Sequence, residues 1–195
     1  MKLCFATHND HKLQEIAPLL PPVFELLNLG QIGCREELPE TQATIEGNSR
    51  QKAEYVWQHY RVNCFADDTG LEVAALGGEP GVHSARYAGP QRNSEENIDR
   101  LLHHLAGQAD RNARFKTVIT LVLDGEVRSF EGTVEGKILE ERRGGGGFGY
   151  DAVFLPGGYD RTFAEMDLAE KSLISHRGRA LEKMVAFFRV GFGGH

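Results

Sequence analysis

RFKTVITLVLDGEVRSFEGTVEG, residues 114–136, holds two β-rich runs on either side of an Asp-Gly pair. The first run, 114–123, is dense in β-branched residues, which suit a pleated surface buried on at least one side. Asp124-Gly125 tolerates the positive φ of a tight turn, so 126–136 should return as the antiparallel partner of 114–123. The segments before this hairpin read differently. Residues 2–6, KLCFA, form a short apolar strand, and residues 62–66, VNCFA, a second buried strand ending at Asp67 and Asp68. Leu13, Ile16, Ala17 and Leu20 make a helical stripe that Pro18 should kink or stop early. Ala53, Val56, Trp57 and Tyr60 mark a second helix within 44–60. Ser94 is the expected N-cap of a third, with Glu95 and Glu96 in its first turn and Ile98, Leu101, Leu102 and Leu105 along it. After the hairpin come a glycine run, a short strand at Ala152–Leu155 and a helix from near Ser175 with Leu181, Met184, Val185 and Phe188 on one face. The terminal GFGGH is expected to fray. The whole reads as α/β at the start with an antiparallel middle.

The 195 residues suffice for one sizeable core, as one domain of at most two lobes. Hydrophobic residues at 41% and charged residues at 26% fit an ordered globular chain. No apolar run is long enough to span a bilayer, and MKLCFATHND lacks a signal-peptide core, so no membrane partner and a cytoplasmic location are expected. Cys4, Cys34 and Cys64 are dispersed, which favours reduced thiols over a disulfide framework or structural zinc. A net charge of −6 argues against a nucleic-acid polymer as partner but leaves room for one small anion held by a few cations.

Chemistry-bearing residues cluster in five places. In THNDHK, residues 7–12, Thr7 or Asn9 can cap the first helix, while Lys12 sits in its first turn against the dipole; it is either solvated or held by a phosphate. In FADDTGLEV, residues 65–73, an extended chain points Asp67 and Asp68 to opposite faces, so one can face a site while the other is structural; an Asx-turn is the alternative. Glu40 can supply a second carboxylate, and magnesium needs only one or two besides phosphate oxygens and water. Asn48 and Lys52, four apart, share one helix face. In FGYDAVF, residues 148–154, Phe148 or Tyr150 can stack on a base, or both belong to the core behind a flexible glycine loop. Lys171, His176, Arg177 and Arg179 crowd a helix start, either as a donor cluster for a base carbonyl or as an exposed cationic end. Together these suit a nucleoside triphosphate and a divalent metal.

The order THNDHKLQEI, PETQATIEGNSRQKA, FADDTGLEVAALGGEPGVHSARYAG, FEGTVEGKI, GGFGYDAVFLP and FAEMDLAEKSLISHRGRAL resembles the inosine triphosphate pyrophosphatase family over about residues 3–185. The resemblance implies a long mixed, twisted β-sheet flanked by helices, with two lobes around a central nucleotide-binding cleft, in a homodimer. It implies magnesium-dependent cleavage of dITP, ITP and XTP to the monophosphate and pyrophosphate. By the same resemblance Asp68 is the proton acceptor, Glu40 and Asp68 hold the metal, and Thr7, His8, Asn9, Asp10, His11 and Lys12 form the phosphate-side loop with Lys52. Thr69 borders the substrate, Phe148, Gly149, Tyr150, Asp151 and Lys171 line the nucleoside, and His176 and Arg177 read the base. His8, Gly47 and Ala152 depart from residues common in the family, and none removes a catalytic group. A pyrophosphatase for modified pyrimidine nucleotides and a nucleotide sensor without turnover are the competing readings.

Overall fold

The computed structural model describes residues 1–192, with side chains through residue 189. The strands are β1 (Lys2–Phe5), β2 (Glu25–Leu27), β3 (Cys64–Val73), β4 (Pro80–Gly81), β5 (Asn112–Leu123), β6 (Glu126–Ile138) and β7 (Phe154–Pro156). The α-helices are α1 (Asp10–Ile16), α2 (Ile45–Tyr60), α3 (Ser94–His104), α4 (Leu168–Ile174) and α5 (His176–Phe192). One mixed sheet runs β2-β1-β3-β5-β6-β7, with β4 beside β3. β1 pairs in parallel with both β2 and β3, whereas β7 returns antiparallel on β6. No described helix is long and apolar enough to cross a membrane.

The chain divides into two compact units. The first holds Met1–Asp68, Thr117–Gly132 and the chain from Arg177 onward; the second holds Thr69–Lys116 and Thr133–His176. In the first unit, Phe5 stacks on Phe65 with ring centroids 4.5 Å apart, and Leu3, Ile16, Ile119, Leu181 and Met184 fill the same core. A separate core of that unit gathers Cys4, Cys34, Cys64, Ala53, Val56 and Ala66. The second unit packs Leu71, Val73, Ile98, Leu101, Phe115, Phe154 and Phe163.

The hairpin forms as expected, with φ of 51° at Asp124 and 88° at Gly125. Pro18 acts as expected too: α1 stops at Ile16 and a 3₁₀ turn takes Ala17–Leu19. All three cysteines are buried free thiols, and burial pushes Cys4 and Cys64 up to about 12, leaving them inert.

Several boundaries differ from the sequence reading. The strand at 62–66 does not end at the aspartates; it starts at Cys64 and runs through Asp67 and Asp68 to Val73. No Asx-turn forms, because Leu71 and Val73 are buried beyond it and Leu71 pairs with Gly81. The short late strand is shifted to Phe154–Pro156, since Val153 and Phe154 first close a turn on the Tyr150 carbonyl. α4 was not foreseen. Its cap is Asp167, which accepts from the Glu170 amide at 2.7 Å, and the extended Ser175 separates it from α5. Of the terminal GFGGH, Gly191 and Phe192 belong to α5 and residues 193–195 lie outside the described residues.

Ser94 is not the cap of α3. Asn93 takes that position, its Oδ1 accepting from Glu95 N at 2.9 Å and Glu96 N at 3.2 Å. Asn93→Ala should therefore cost about 1 kcal/mol in urea unfolding, and Ser94→Ala less than about 0.5. The reverse order would return the cap to Ser94.

Candidate active site

The two aspartates of β3 follow the alternation of a strand. Phe65 and Asp67 face α1 and α5; Cys64, Ala66 and Asp68 face α2. The cores show it directly, with Phe65 packed among α1 and α5 residues and Ala66 among α2 residues. On the α1 and α5 side, Lys12 Nζ donates to Asp67 Oδ1 at 2.8 Å and Arg177 Nε to Asp67 Oδ2 at 2.9 Å. Arg177 Nη1 donates in turn to Glu15 Oε2. On the α2 side, Lys52 Nζ donates to Glu40 Oε1 at 2.7 Å and lies 3.7 Å from Asp68 Oδ1. One ammonium is thus bracketed by two carboxylates, both in the first unit.

Local structure explains each position. Asn9 caps α1, accepting from His11 N and Lys12 N, and its own amide donates to Thr7 Oγ1. That sets the first turn carrying Lys12. Glu40 precedes a segment pinned to α2 by three bonds: Thr41 N to Gln51 Oε1, Gln51 Nε2 to Thr41 Oγ1, and Gln42 N to Asn48 Oδ1. Thr44 then caps α2 by accepting from Gly47 N. A Cβ on Gly47 would stand 2.7 Å from Gln42 Cβ, so the small residue here goes with this tight entry. Beneath β3, Ser49 donates within reach of the Ala66 carbonyl and Thr120 Oγ1, at 3.1 and 2.9 Å.

Burial and charge act differently on the two aspartates. Burial alone would raise Asp67, but Lys12, Arg177 and Lys52 outweigh it and hold the carboxyl far below the usual range. Burial raises Asp68, and Lys52 and Lys12 offset this only in part, with Glu40 and Asp67 adding to the rise. Burial draws Lys52 down, yet Asp68, Glu40 and Asp67 together carry it above normal. Lys12 ends below its usual value, because burial and the nearby Lys52 and Arg177 exceed the pull of Asp67. Asp67 is therefore a fixed anion within a buried ion network, and Asp68 a carboxylate inclined to take a proton.

The second unit holds another cluster. Lys171 Nζ donates to Asp151 Oδ2 at 2.6 Å, and both side chains are buried. Asp151 Oδ2 also accepts from Phe148 N at 2.9 Å. The Lys171 ammonium sits 4.7 Å from the Phe148 ring centroid, a cation–π contact on a half-buried ring. Tyr150 is in the core, its hydroxyl donating to the Ser84 carbonyl at 2.7 Å. Of the two aromatics, Phe148 is the one with an accessible surface. His176 stacks on Phe115 at 4.5 Å. The exposed cationic helix start is overturned for Lys171, His176 and Arg177, which are buried and face carboxylates or rings, and holds for Arg179, which is exposed.

The structure therefore groups Lys12, Glu40, Lys52, Asp68 and Arg177 in the first unit, with Thr7 and Asn9 shaping the turn before Lys12. Phe148, Asp151, Lys171 and His176 belong to the second. Thr69 follows Asp68 in β3 as the first residue of the second unit, and Gly149 takes a positive φ of 60° between Phe148 and Tyr150. His8 is exposed and its Nε2 lies 3.0 Å from the Glu36 carbonyl; Asp10 and His11 are exposed on the first turn of α1. No group of three or more His, Cys, Asp or Glu side chains placed to hold a metal occurs among the described residues. Sequence reasoning missed Glu15 and the pairing of Asp67 with Lys12 and Arg177. The signal for Glu15 was present: a carboxylate three residues after Lys12, beside Ile16 on the apolar stripe.

This fold is shared with known proteins. The Ham1 family profile matches residues 3–187, and the chain belongs to that family. A dITP/XTP pyrophosphatase of Christiangramia forsetii is 55% identical over 187 residues, which cover 96% of this chain and 98% of the relative. A dITP/XTP pyrophosphatase of Bacillus subtilis is 44% identical, over 92% of each chain. Among solved structures, the Staphylococcus aureus Ham1 protein matches with a TM-score of 0.89 at 35% identity, over 98% of this chain and 100% of that one. A HAM1 protein from Coxiella burnetii also matches at 0.89, with 36% identity over 97% and 99%.

Arg177 separates two buried carboxylates, so Arg177→Met should destabilise by about 3–5 kcal/mol at pH 7, the scale for breaking a buried pair. Asp67 has its folded pKa below its unfolded value of about 3.9, so its contribution is complete above that pH and lost as pH falls further. The stability gap between wild type and variant should narrow from pH 5 toward pH 2, measured by urea unfolding. A gap independent of pH would remove Asp67 from the network's energetics.

Proposed function

We propose that this chain hydrolyses dITP, ITP and XTP to the nucleoside monophosphate and pyrophosphate with magnesium, clearing these nucleotides before they enter DNA or RNA. The observation that carries the reading is Lys52 held between Glu40 and Asp68, with Lys12 nearby on Asp67. Membership of the Ham1 family and the activity named for its relatives support it. A cytoplasmic homodimer completes the reading on the strength of the family resemblance alone.

The residues present fit a divalent cation. Glu40 and Asp68 already bracket one positive charge, and magnesium asks for one or two carboxylates with water and phosphate oxygens. When bound, the ion would acidify a water and draw charge from the phosphate oxygens. Asp68 would orient an attacking water toward the α-phosphorus and take its proton. Lys52 and Lys12 would balance charge on the departing pyrophosphate. Phe148 would offer its ring to the base. Hypoxanthine and xanthine carry a 6-oxo acceptor where adenine carries an amino donor. A donor from His176, or from the donor-only Arg177 while it keeps Asp67 and Glu15 as partners, would be satisfied opposite the first and opposed by the second.

The test is a panel of ITP, XTP, dITP, ATP, dUTP and a methylated pyrimidine triphosphate, with products resolved by chromatography. Monophosphate and pyrophosphate should form from the first three, with ATP lower in kcat/KM by roughly 10⁴-fold, and EDTA should abolish turnover. Activity that survives EDTA contradicts the metal assignment. Release of orthophosphate and a diphosphate moves the cleavage to another bond, and a preference for pyrimidines replaces the substrate class. Lys12→Ala and Lys52→Ala should each weaken ITP binding more than inosine monophosphate binding. Equal weakening of both would move these lysines to the nucleoside.

A further inference from the structure

The glycine run before Phe148 is bound down rather than loose, and the residues that bind it belong to neither charged cluster. Arg143 precedes the run. Its backbone amide donates to the Ala152 carbonyl at 2.7 Å, and its carbonyl accepts from Thr162 Oγ1 at 2.7 Å, from a threonine with no exposed surface. Its guanidinium Nη2 donates to the Asp160 carbonyl at 2.7 Å and pairs with Glu165 Oε2 at 3.0 Å. Glu165 Oε2 also accepts from Thr162 N at 2.8 Å, closing a reciprocal cap on the 3₁₀ turn Phe163–Glu165. That backbone amide, with Arg143 beside it, holds the Glu165 carboxyl below its usual range.

The glycines lie directly on this turn. Gly146 N donates to the Ala164 carbonyl at 3.0 Å. A Cβ on Gly144, at φ 86°, would stand 2.5 Å from the Ala164 carbonyl carbon, and one on Gly147, at φ 69°, 2.1 Å from Asp151 Oδ2. From the other end, Ala164 N donates to the Asp151 carbonyl at 3.2 Å. Phe148 and Asp151 are thus fixed through the 162–165 turn, and Lys171 through Asp151. We infer that Arg143 and Glu165 are positioning residues for the nucleoside end of the substrate, clasping segment 144–149 so that Phe148 and the Asp151–Lys171 pair keep their places. This inference rests on the nucleotide reading proposed above.

The experiment compares wild type with Glu165→Gln, Arg143→Ala and Arg143→Lys. Arg142→Ala is the control, because Arg142 pairs with Glu95 and Asp99 and touches none of the clasp. ITP kinetics are measured with inhibition by inosine monophosphate and by inorganic pyrophosphate, and each variant is melted. For Glu165→Gln and Arg143→Ala, KM for ITP and Ki for inosine monophosphate should rise about tenfold or more. kcat should stay within about threefold and Ki for pyrophosphate within about twofold, a split that marks lost binding rather than lost chemistry. Arg143→Lys should recover most of the KM, and Arg142→Ala should match wild type. Unchanged KM in both clasp variants overturns the inference, as does equal weakening toward the monophosphate and pyrophosphate, which is general loosening. A variant that melts below the assay temperature is judged from Arg143→Ala, whose altered side chain is half exposed. Wild type that neither turns over ITP nor binds the monophosphate sinks the nucleotide reading itself; active wild type with unaffected variants sinks only the clasp.

Discussion

Asp67 is a carboxylate with no exposed side-chain surface, in the middle of a sheet. A buried anion of this kind is tolerated only with partners, because the desolvation cost of a lone ion is far larger than the stability of a domain. Its partners come from distant parts of the sequence: Lys12 from α1 and Arg177 from α5, with Glu15 balancing Arg177 in turn. The requirement that these four charges meet fixes α1 and α5 against the same face of β3. With Asp67 compensated on that face, its neighbour Asp68 is left to α2, where Lys52 and Glu40 stand. The two adjacent charges thus meet unlike partners, and the two-residue period of a strand is what separates them.

Much of the fold was legible because the signals were local. The β-branched run with Asp124-Gly125 specifies its hairpin, Pro18 stops α1, and the stripe Ala53–Val56–Trp57–Tyr60 is a helix face whatever surrounds it. What failed were features set at longer range. The Asp-Asp-Thr-Gly segment has the composition of a turn, yet extends as strand, because cations 55 and 110 residues from Asp67 neutralise it. α4 is too short for a periodic stripe, and only its Asp167-Leu-Ala-Glu170 start announces it. At α3, Asn93 and Ser94 are both good caps by type, and one residue of phase decides between them.

The candidate site divides in the same way. Residue types suggested a phosphate-and-metal chemistry and an aromatic-and-donor chemistry; Lys12, Glu40, Lys52 and Asp68 lie in the first unit and Phe148, Asp151, Lys171 and His176 in the second, but the donor Arg177 falls in the first. Composition could not say which groups are already committed. Lys171, His176 and Arg177 look like surface cations at a helix start, but each is buried against Asp151, Phe115 or Asp67. Tyr150 and Phe148 were equivalent on paper, and the Ser84 carbonyl takes the first into the core. Nor does a glycine run announce whether it is loose or strapped down; here it is held by a turn some twenty residues further on.

The central claim is that neighbouring aspartates divide structure from chemistry, and the paired variants Asp67→Asn and Asp68→Asn test it most directly. Stability by urea unfolding and kcat for ITP at saturating magnesium are measured on both. Asp68→Asn should keep most of its stability and lose at least about 10²-fold in kcat. Asp67→Asn should lose about 3–5 kcal/mol, while the folded enzyme keeps kcat within about tenfold of wild type. A folded Asp67→Asn enzyme that loses more turnover than Asp68→Asn would contradict the account.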